Sequence, residues 1–542
     1  MFWFLAVSFI AVLAAVMTAA AYLVFPFWDD GWLALAEADG GSVRRFMGDR
    51  PLAGAAWVFL SRHGWLWNSG LAIHWLAWTL EGTIAMVLWT KLFPHLRCAA
   101  VAAGCLAVAP LVCTAQYCIV TAMLAAQVPT LLVYAAFLIQ SREAAVTSAR
   151  PVAVLRALAT AALLVPAALL SDYTLPAVFA TTVLLLVPAG TAPLLEPRRL
   201  IRAALFFAVG VAGYLVYWRL ADSSARLEVR PEHILQSRGL FLPLLCAART
   251  FPGLLWRGAL GDLLHRMGTV DRFVLVVAGL GCAAIATWVL RPRNPVPADA
   301  RNDQGAWYKP ALLLAAAAAG IAPVALMLQR PPFATMGTRL WLPVLPILAC
   351  LNVYLLLAVV RRRSPAAVVF LVLFLAAYFT VDESFSRIVE RRRASDLSAR
   401  ILPQLDERGI TVAMVDFDKP PSADCRDYEL TARLSLGWPA EKRKRFWAFV
   451  DLHGFADCVR GVGLDRSLHD PAISVSARGY VVEGPVARML WIRVLEDNRI
   501  EIVAARPDRE AGSHAVAAKP QADRQHSEPR PAASKLSQMK PR

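Results

Sequence analysis

The sequence has 542 residues, of which 58% are hydrophobic and only 18% charged, and its mean hydropathy is +0.50. Those values exclude an ordinary soluble domain and place the chain among all-α polytopic membrane proteins. The formal charge of +16 does not point to nucleic acid, because the basic residues fall in short connections between apolar runs and in the polar C-terminal end, where membrane topology accounts for them.

An α-helix needs roughly 18 to 24 apolar residues to cross a hydrocarbon core of about 30 Å. The uncharged run from Phe2 to Phe25 meets that requirement. No basic region precedes it, it is longer than a signal-peptide core, and no small-residue cleavage site ends it, so it reads as an uncleaved anchor. The connection 26–68 then opens on Phe25-Pro26-Phe27-Trp28-Asp29-Asp30-Gly31-Trp32. Two adjacent carboxylates stand at a helix exit, among aromatic residues that favour the water–lipid boundary. Such a pair suits a general base, or a divalent cation set against a phosphate leaving group. The same residues serve equally well as a helix stop and a solvated loop.

Glu37, Asp39 and Arg44-Arg45 follow, then Asp49-Arg50-Pro51-Leu52. The planar donor fork of arginine matches phosphate oxygens, which makes Arg50 a candidate phosphate ligand with Asp49 beside it. From Pro51 to Leu60 the residues are apolar but too few to span, and they are predicted to lie flat in the interface.

Further spans are predicted at 69–90, 98–114, 119–140, 151–170, 174–194, 201–220, 272–290, 310–328, 340–360 and 365–381, about eleven in all, each bounded by Pro, Gly or charge. His74 and Glu81 are seven apart within the second, hence on one helical face. Ionisable groups inside a membrane usually face the protein interior and serve function, although a structural hydrogen bond between helices explains them as simply. Every second connection carries Lys or Arg, whereas the short loops 115–118 and 171–173 carry none. The positive-inside rule therefore puts the N-terminus in the cytoplasm and the connections 26–68 and 221–271 outside. Leu240 to Leu260 is read as interfacial because Arg249, Arg257, Pro243 and Pro252 interrupt it. Arg330 and Arg339 flank a Pro-rich outer turn, suited to clamping a phosphate or to snorkelling toward head groups.

The transmembrane domain is thus 1–381. From 382 to 503 the pattern is that of a small α/β domain on the outer side, with helices expected near Ser395–Arg408 and 441–451 and strands at Ile410–Val415, Tyr480–Val482, Leu490–Val494 and Ile500–Val503. Residues 504–542 form a basic tail with too few large apolar residues to order itself. Of nine cysteines, Cys425 and Cys458 lie in this polar region and are candidates for a disulfide if it is extracytoplasmic, or else are free buried thiols.

The first helix ending in paired acids, the Asp-Arg-Pro-Leu step, the flat helix, the second span with His74, the many helices and the outward C-terminal domain together resemble the GT-C class of membrane glycosyltransferases, which includes protein O-mannosyltransferases and lipid A aminoarabinose transferases. The architectural likeness covers the whole chain, and the motif likeness covers residues 26–75. The resemblance implies a bacterial inner-membrane enzyme that takes a sugar from a polyprenyl-phosphate carrier and gives it to a glycan, lipid or protein acceptor on the periplasmic face, among membrane lipids. It further implies that Asp29 or Asp30 is the catalytic base, that Asp172 in Ser171-Asp172-Tyr173 is a second acid or merely a helix cap, and that Arg50, Arg330 and Arg339 hold the donor phosphate, with Asp49, His74 and Glu81 in support. Whether Mg²⁺ or Mn²⁺ takes part stays open. Two other classes fit the composition: a lipid-linked glycan flippase or permease, and an O-antigen polymerase or ligase that would depend on late-loop residues such as His233 and His265.

Overall fold

The computed structural model describes residues 2–24, 51–62, 70–109, 126–141, 150–171, 173–186, 196–220, part of 276–287, 308–328, 339–359, 365–407, and the segments 412–417, 447–449, 473–476, 479–482, 489–495 and 500–503. The predicted sites at Asp29, Asp30, Asp49, Arg50, Asp172, Arg330, Cys425 and Cys458, and the side chain of Arg339, lie outside the described residues.

Helix α1 spans Phe2–Val24. Its buried side is the stripe Ala6, Ile10, Leu13, Met17 and Ala20, a four–three alternation that keeps one seam against neighbouring helices. The twelve-residue α2 (Pro51–Arg62) follows, then α3 (Gly70–Leu92). Helix α3 ends at Phe93-Pro94, where Phe93 leaves the helical region with φ −129°, as a residue before proline does. A 3₁₀ segment (Pro94–Ala99) leads into the short α4 (Ala100–Val108). Trp89 Nε1 donates to the Leu96 carbonyl at 2.8 Å and holds that corner.

Helices α5 (Val128–Ser141), α6 (Arg150–Leu170), α7 (Thr174–Leu185), α8 (Pro197–Leu220) and α9 (Tyr308–Leu328) come next. A second 3₁₀ segment (Arg339–Val344) runs directly into α10 (Leu345–Val359), and α11 (Pro365–Glu407) follows. Within the first compact unit, α1, α3, α4 and α10 pack together, α7 packs on α5, α6, α8 and α9, and the pairs α3–α5 and α9–α10 join the groups.

Backbones approach closely where α3 crosses α4. A methyl group placed on Gly82 would lie 2.9 Å from the Gly104 carbonyl oxygen, and one placed on Gly104 would lie 2.8 Å from the Gly82 carbonyl oxygen. Only glycine at both positions permits this, the small-residue contact by which helices associate in lipid.

Among the described residues five helical segments are long and apolar enough to cross a membrane: Phe2–Leu23, Gly70–Leu92, Pro197–Leu220, Leu342–Val359 and Pro365–Val389. The outward faces carry Phe4, Val12, Leu155, Leu158, Ile201, Leu205, Leu215 and Val359, each more than half exposed, while Glu81, Gln127 and His74 are buried. Apolar outside and polar inside is the distribution that lipid solvent dictates. The protein is an all-α membrane protein in this unit.

Two sequence expectations differ from what is seen. The last predicted span and the helix expected at Ser395–Arg408 are one helix, α11, because the polar stretch after Thr380 supports helix through pairs such as Glu383–Arg387, four apart. In place of a helix at 441–451, Trp447–Phe449 form a strand. In the second unit β1 (Val412–Phe417) pairs in parallel with β2 (Trp447–Phe449) and with β5 (Met489–Val494), β5 pairs antiparallel with β6 (Ile500–Val503), and β3 (Ile473–Ser476) with β4 (Gly479–Val482) makes a separate antiparallel ribbon.

Candidate functional site

His74 and Glu81, the two ionisable residues within the span of α3 before Lys91 at its end, meet different partners. His74 is 1% exposed, and its ring is fixed from both sides: Trp78 Nε1 donates to Nε2 at 3.1 Å, and Nδ1 lies 2.9 Å from Thr18 Oγ1 on α1. An indole N–H only donates, so Nε2 accepts, Nδ1 carries the proton and donates to Thr18, and the imidazole is neutral. This assignment follows from the network. Trp75 Nε1, one residue on, donates to the Ala11 carbonyl at 2.8 Å and adds a second bond between α3 and α1.

Glu81 lies two turns further along, about 10.5 Å at 1.5 Å rise per residue, too far for His74 to reach it directly. It is fully buried, and neither carboxyl oxygen has a hydrogen-bond partner among the described residues. Opposite it stands Gln127, also fully buried, whose amide nitrogen and oxygen are likewise without partners there. Gln127 sits in a π-type turn at Ala126–Gln127 that enters α5, a widened turn found often at functional positions. The Thr130 hydroxyl donates to the Ala126 carbonyl at 2.6 Å within this turn.

Around the pair, the Tyr134 hydroxyl of α5 donates to the Pro343 carbonyl at 3.1 Å, tying α5 to the 3₁₀ entrance of α10. Glu81 and Cys350 both lie within electrostatic range of Tyr134. The Cys350 thiol reaches the Ala85 carbonyl of α3 at 3.5 Å. At the other end of α3, Lys91 Nζ donates to the Ser141 carbonyl, the last residue of α5, at 3.1 Å, where a cation complements the helix C-terminus. Thus α3, α5 and α10 are joined by polar contacts along an otherwise apolar interface.

A second buried polar group begins where the apolar run of α11 ends. Asp382, Ser384 and Arg387 are 2%, 4% and 5% exposed, and Arg387 bonds Glu383 Oε1 through Nε at 2.7 Å and Nη2 at 2.6 Å. The Glu-x-x-x-Arg spacing suits an ion pair along one helix. At the α6–α7 corner the described bonds are made by Ser171 and Thr174: the Tyr173 amide donates to Ser171 Oγ at 3.2 Å, and the Thr174 hydroxyl to the Ala167 carbonyl at 2.6 Å. Among the described residues no three His, Cys, Asp or Glu side chains gather as a metal site.

Comparison with protein-family models, curated proteins and solved structures finds no match.

Proposed function

We propose that the chain is a membrane glycosyltransferase that moves a sugar from a polyprenyl-phosphate carrier to a glycan, lipid or protein acceptor on the outer face of a bacterial inner membrane. The observation that carries this reading is α2. At twelve residues it is about 18 Å long, short of a hydrocarbon core of about 30 Å. It buries Ala53 and Trp57 but leaves Leu52, Ala55 and Phe59 exposed along one side. That apolar stripe begins directly after Asp49-Arg50 in sequence, and Asp29-Asp30 follow the end of α1 by five residues. Acid for the acceptor hydroxyl, arginine for the carrier phosphate and an apolar edge for the tail are what such a donor requires.

In this reading Asp29 or Asp30 is the general base and Asp172 a second acid; Arg50, Arg330 and Arg339 bind the donor phosphate, with Asp49 beside Arg50 in sequence. The open groove between the last turns of α1 and the first turns of α3, lined by Ala15, Thr18, Ala19, Leu71, Ala72 and Trp75, is apolar enough for a prenyl chain. The chain crosses the membrane about eleven times, its N-terminus is cytoplasmic, and the α/β region after residue 382 is periplasmic. Replacing Asp29 and Asp30 together by Asn is expected to abolish transfer from a polyprenyl-phosphate sugar in membrane vesicles. Retained transfer refutes the reading and favours a permease, or a polymerase that uses His233 or His265. A cysteine placed at the C-terminus is expected to react with an impermeant reagent from the periplasmic side.

A further inference from the structure

We propose that Glu81 and Gln127 form a proton-holding acid–amide pair inside the membrane, a site independent of sugar transfer. An ionised carboxylate without a partner is prohibitively costly in an apolar interior, and no counter-charge stands beside Glu81 among the described residues. The 3₁₀ segment Pro94–Ala99 packs on α3 and brings Arg97, exposed beyond the C-terminal end of α3 and sixteen residues from Glu81. The α-helices packed on α3 are α1, α4, α5 and α10, and none of the four contains Asp, Glu, Lys or Arg. The titratable groups they bring to this interior are the Cys105, Tyr134 and Cys350 side chains, all buried and all neutral in their protonated forms. On α3 itself His74 is neutral and engaged with Thr18 and Trp78, and Lys91 lies ten residues away at the helix end, on the Ser141 carbonyl.

Gln127 supplies the complement a neutral acid needs. A carboxylic acid presents one O–H donor and one carbonyl acceptor, and a carboxamide presents an N–H donor and a carbonyl acceptor. Face to face they close a ring of two hydrogen bonds, the acid O–H to Gln127 Oε1 and Gln127 Nε2–H to the acid carbonyl. A carboxylate has no donor, so it closes only one and turns its second oxygen toward the amide oxygen. All four of these polar atoms are buried and without other partners among the described residues, and both side chains are long enough to meet by rotation about their own χ angles. Proton binding at Glu81 is thereby linked to the packing of α3 against the π-type turn that carries Gln127, and loss of the proton breaks one of the two bonds that join them.

The test uses the full-length protein in membrane vesicles and the lipid-soluble reagent dicyclohexylcarbodiimide. The acid proton passes to one carbodiimide nitrogen, the carboxyl oxygen bonds to the central carbon, and the O-acylurea rearranges to a stable N-acylurea with no leaving group. Peptide mass spectrometry is expected to find the adduct on Glu81, with none there from a water-soluble carbodiimide, and Glu81→Gln is expected to lose it. Gln127→Leu is expected to speed labelling several-fold, since the acid proton is no longer held. Absence of the Glu81 adduct after exhaustive reaction, or equal labelling by both reagents, overturns the proton site, and an unchanged rate in Gln127→Leu overturns the pairing. None of these readouts depends on Asp29 or Asp30, so failure here is distinguishable from failure of the transferase reading.

Discussion

Alanine at Gly82 tests how α1, α3 and α4 are held together. Its methyl group would lie 2.6 Å from Ile10 Cγ2, 2.8 Å from Val108 Cγ2 and 2.9 Å from the Gly104 carbonyl oxygen, against 3.4 Å at the near edge of ordinary contact. Ile10 and Val108 can turn about χ1, but the carbonyl oxygen is backbone and cannot move without α4. The crossing must therefore open by about 0.5 Å, a gap that forfeits roughly a quarter to a half of each dispersion contact along it. Overpacking of a tight interior costs about 1–3 kcal/mol, and the rigid backbone neighbour puts Gly82→Ala at the upper end of that range. Gly104→Ala is expected to match it, because its methyl group would meet the Gly82 carbonyl oxygen at 2.8 Å. Once one substitution has opened the crossing the other loses less, so the double variant is expected to fall short of the sum. Reversible unfolding in mixed micelles, followed by tryptophan fluorescence, measures all three. Single variants within about 0.5 kcal/mol of the parent, the range of unremarkable surface changes, would refute close backbone contact at this crossing.

Four other single substitutions and one paired change probe the polar contacts by the same unfolding measurement. Thr18→Val removes the partner of His74 Nδ1, and a helix-to-helix bond in lipid is worth about 0.6 and at most about 1.7 kcal/mol; His74→Leu leaves the Thr18 hydroxyl and the Trp78 indole without their ring partner and is expected to cost more. Tyr134→Phe strands the Pro343 carbonyl and is expected to destabilise by about 1–3 kcal/mol. Glu383→Ala removes the carboxylate that Arg387 holds through Nε and Nη2, for which about 1.5–3 kcal/mol is expected, and the paired change Glu383→Leu with Arg387→Met is expected to restore part of the loss.

The helical unit was legible where its rule is local. Apolar length placed α1 and α3, and Pro94 marked the end of α3, because span length and proline sterics need only adjacent residues. Strands β1, β4, β5 and β6 fell within about two residues of their expected places for the same reason: short runs of Val, Ile, Met and Tyr bounded by turn residues. The helix expected at 441–451 is not what Trp447–Phe449 form, since aromatic residues fit a pleated surface and this segment finds β1 beside it. The continuation of α11 past the apolar run was missed because a change from apolar to polar residues ends a membrane span without ending a helix.

His74 and Glu81 of α3 show where sequence reasoning stops at a site. Seven residues put His74 and Glu81 on one face, but two turns of rise carry that face from the neighbourhood of α1 to that of α5. His74 thereby meets a hydroxyl and an indole that satisfy it, and Glu81 meets an amide that can do so only if the acid keeps its proton. Spacing along one helix says which groups look the same way. What each group does depends on Thr18 and Gln127, which lie on other segments and carry no local mark, and for Glu81 that neighbour is what favours the protonated acid in the proposed pair.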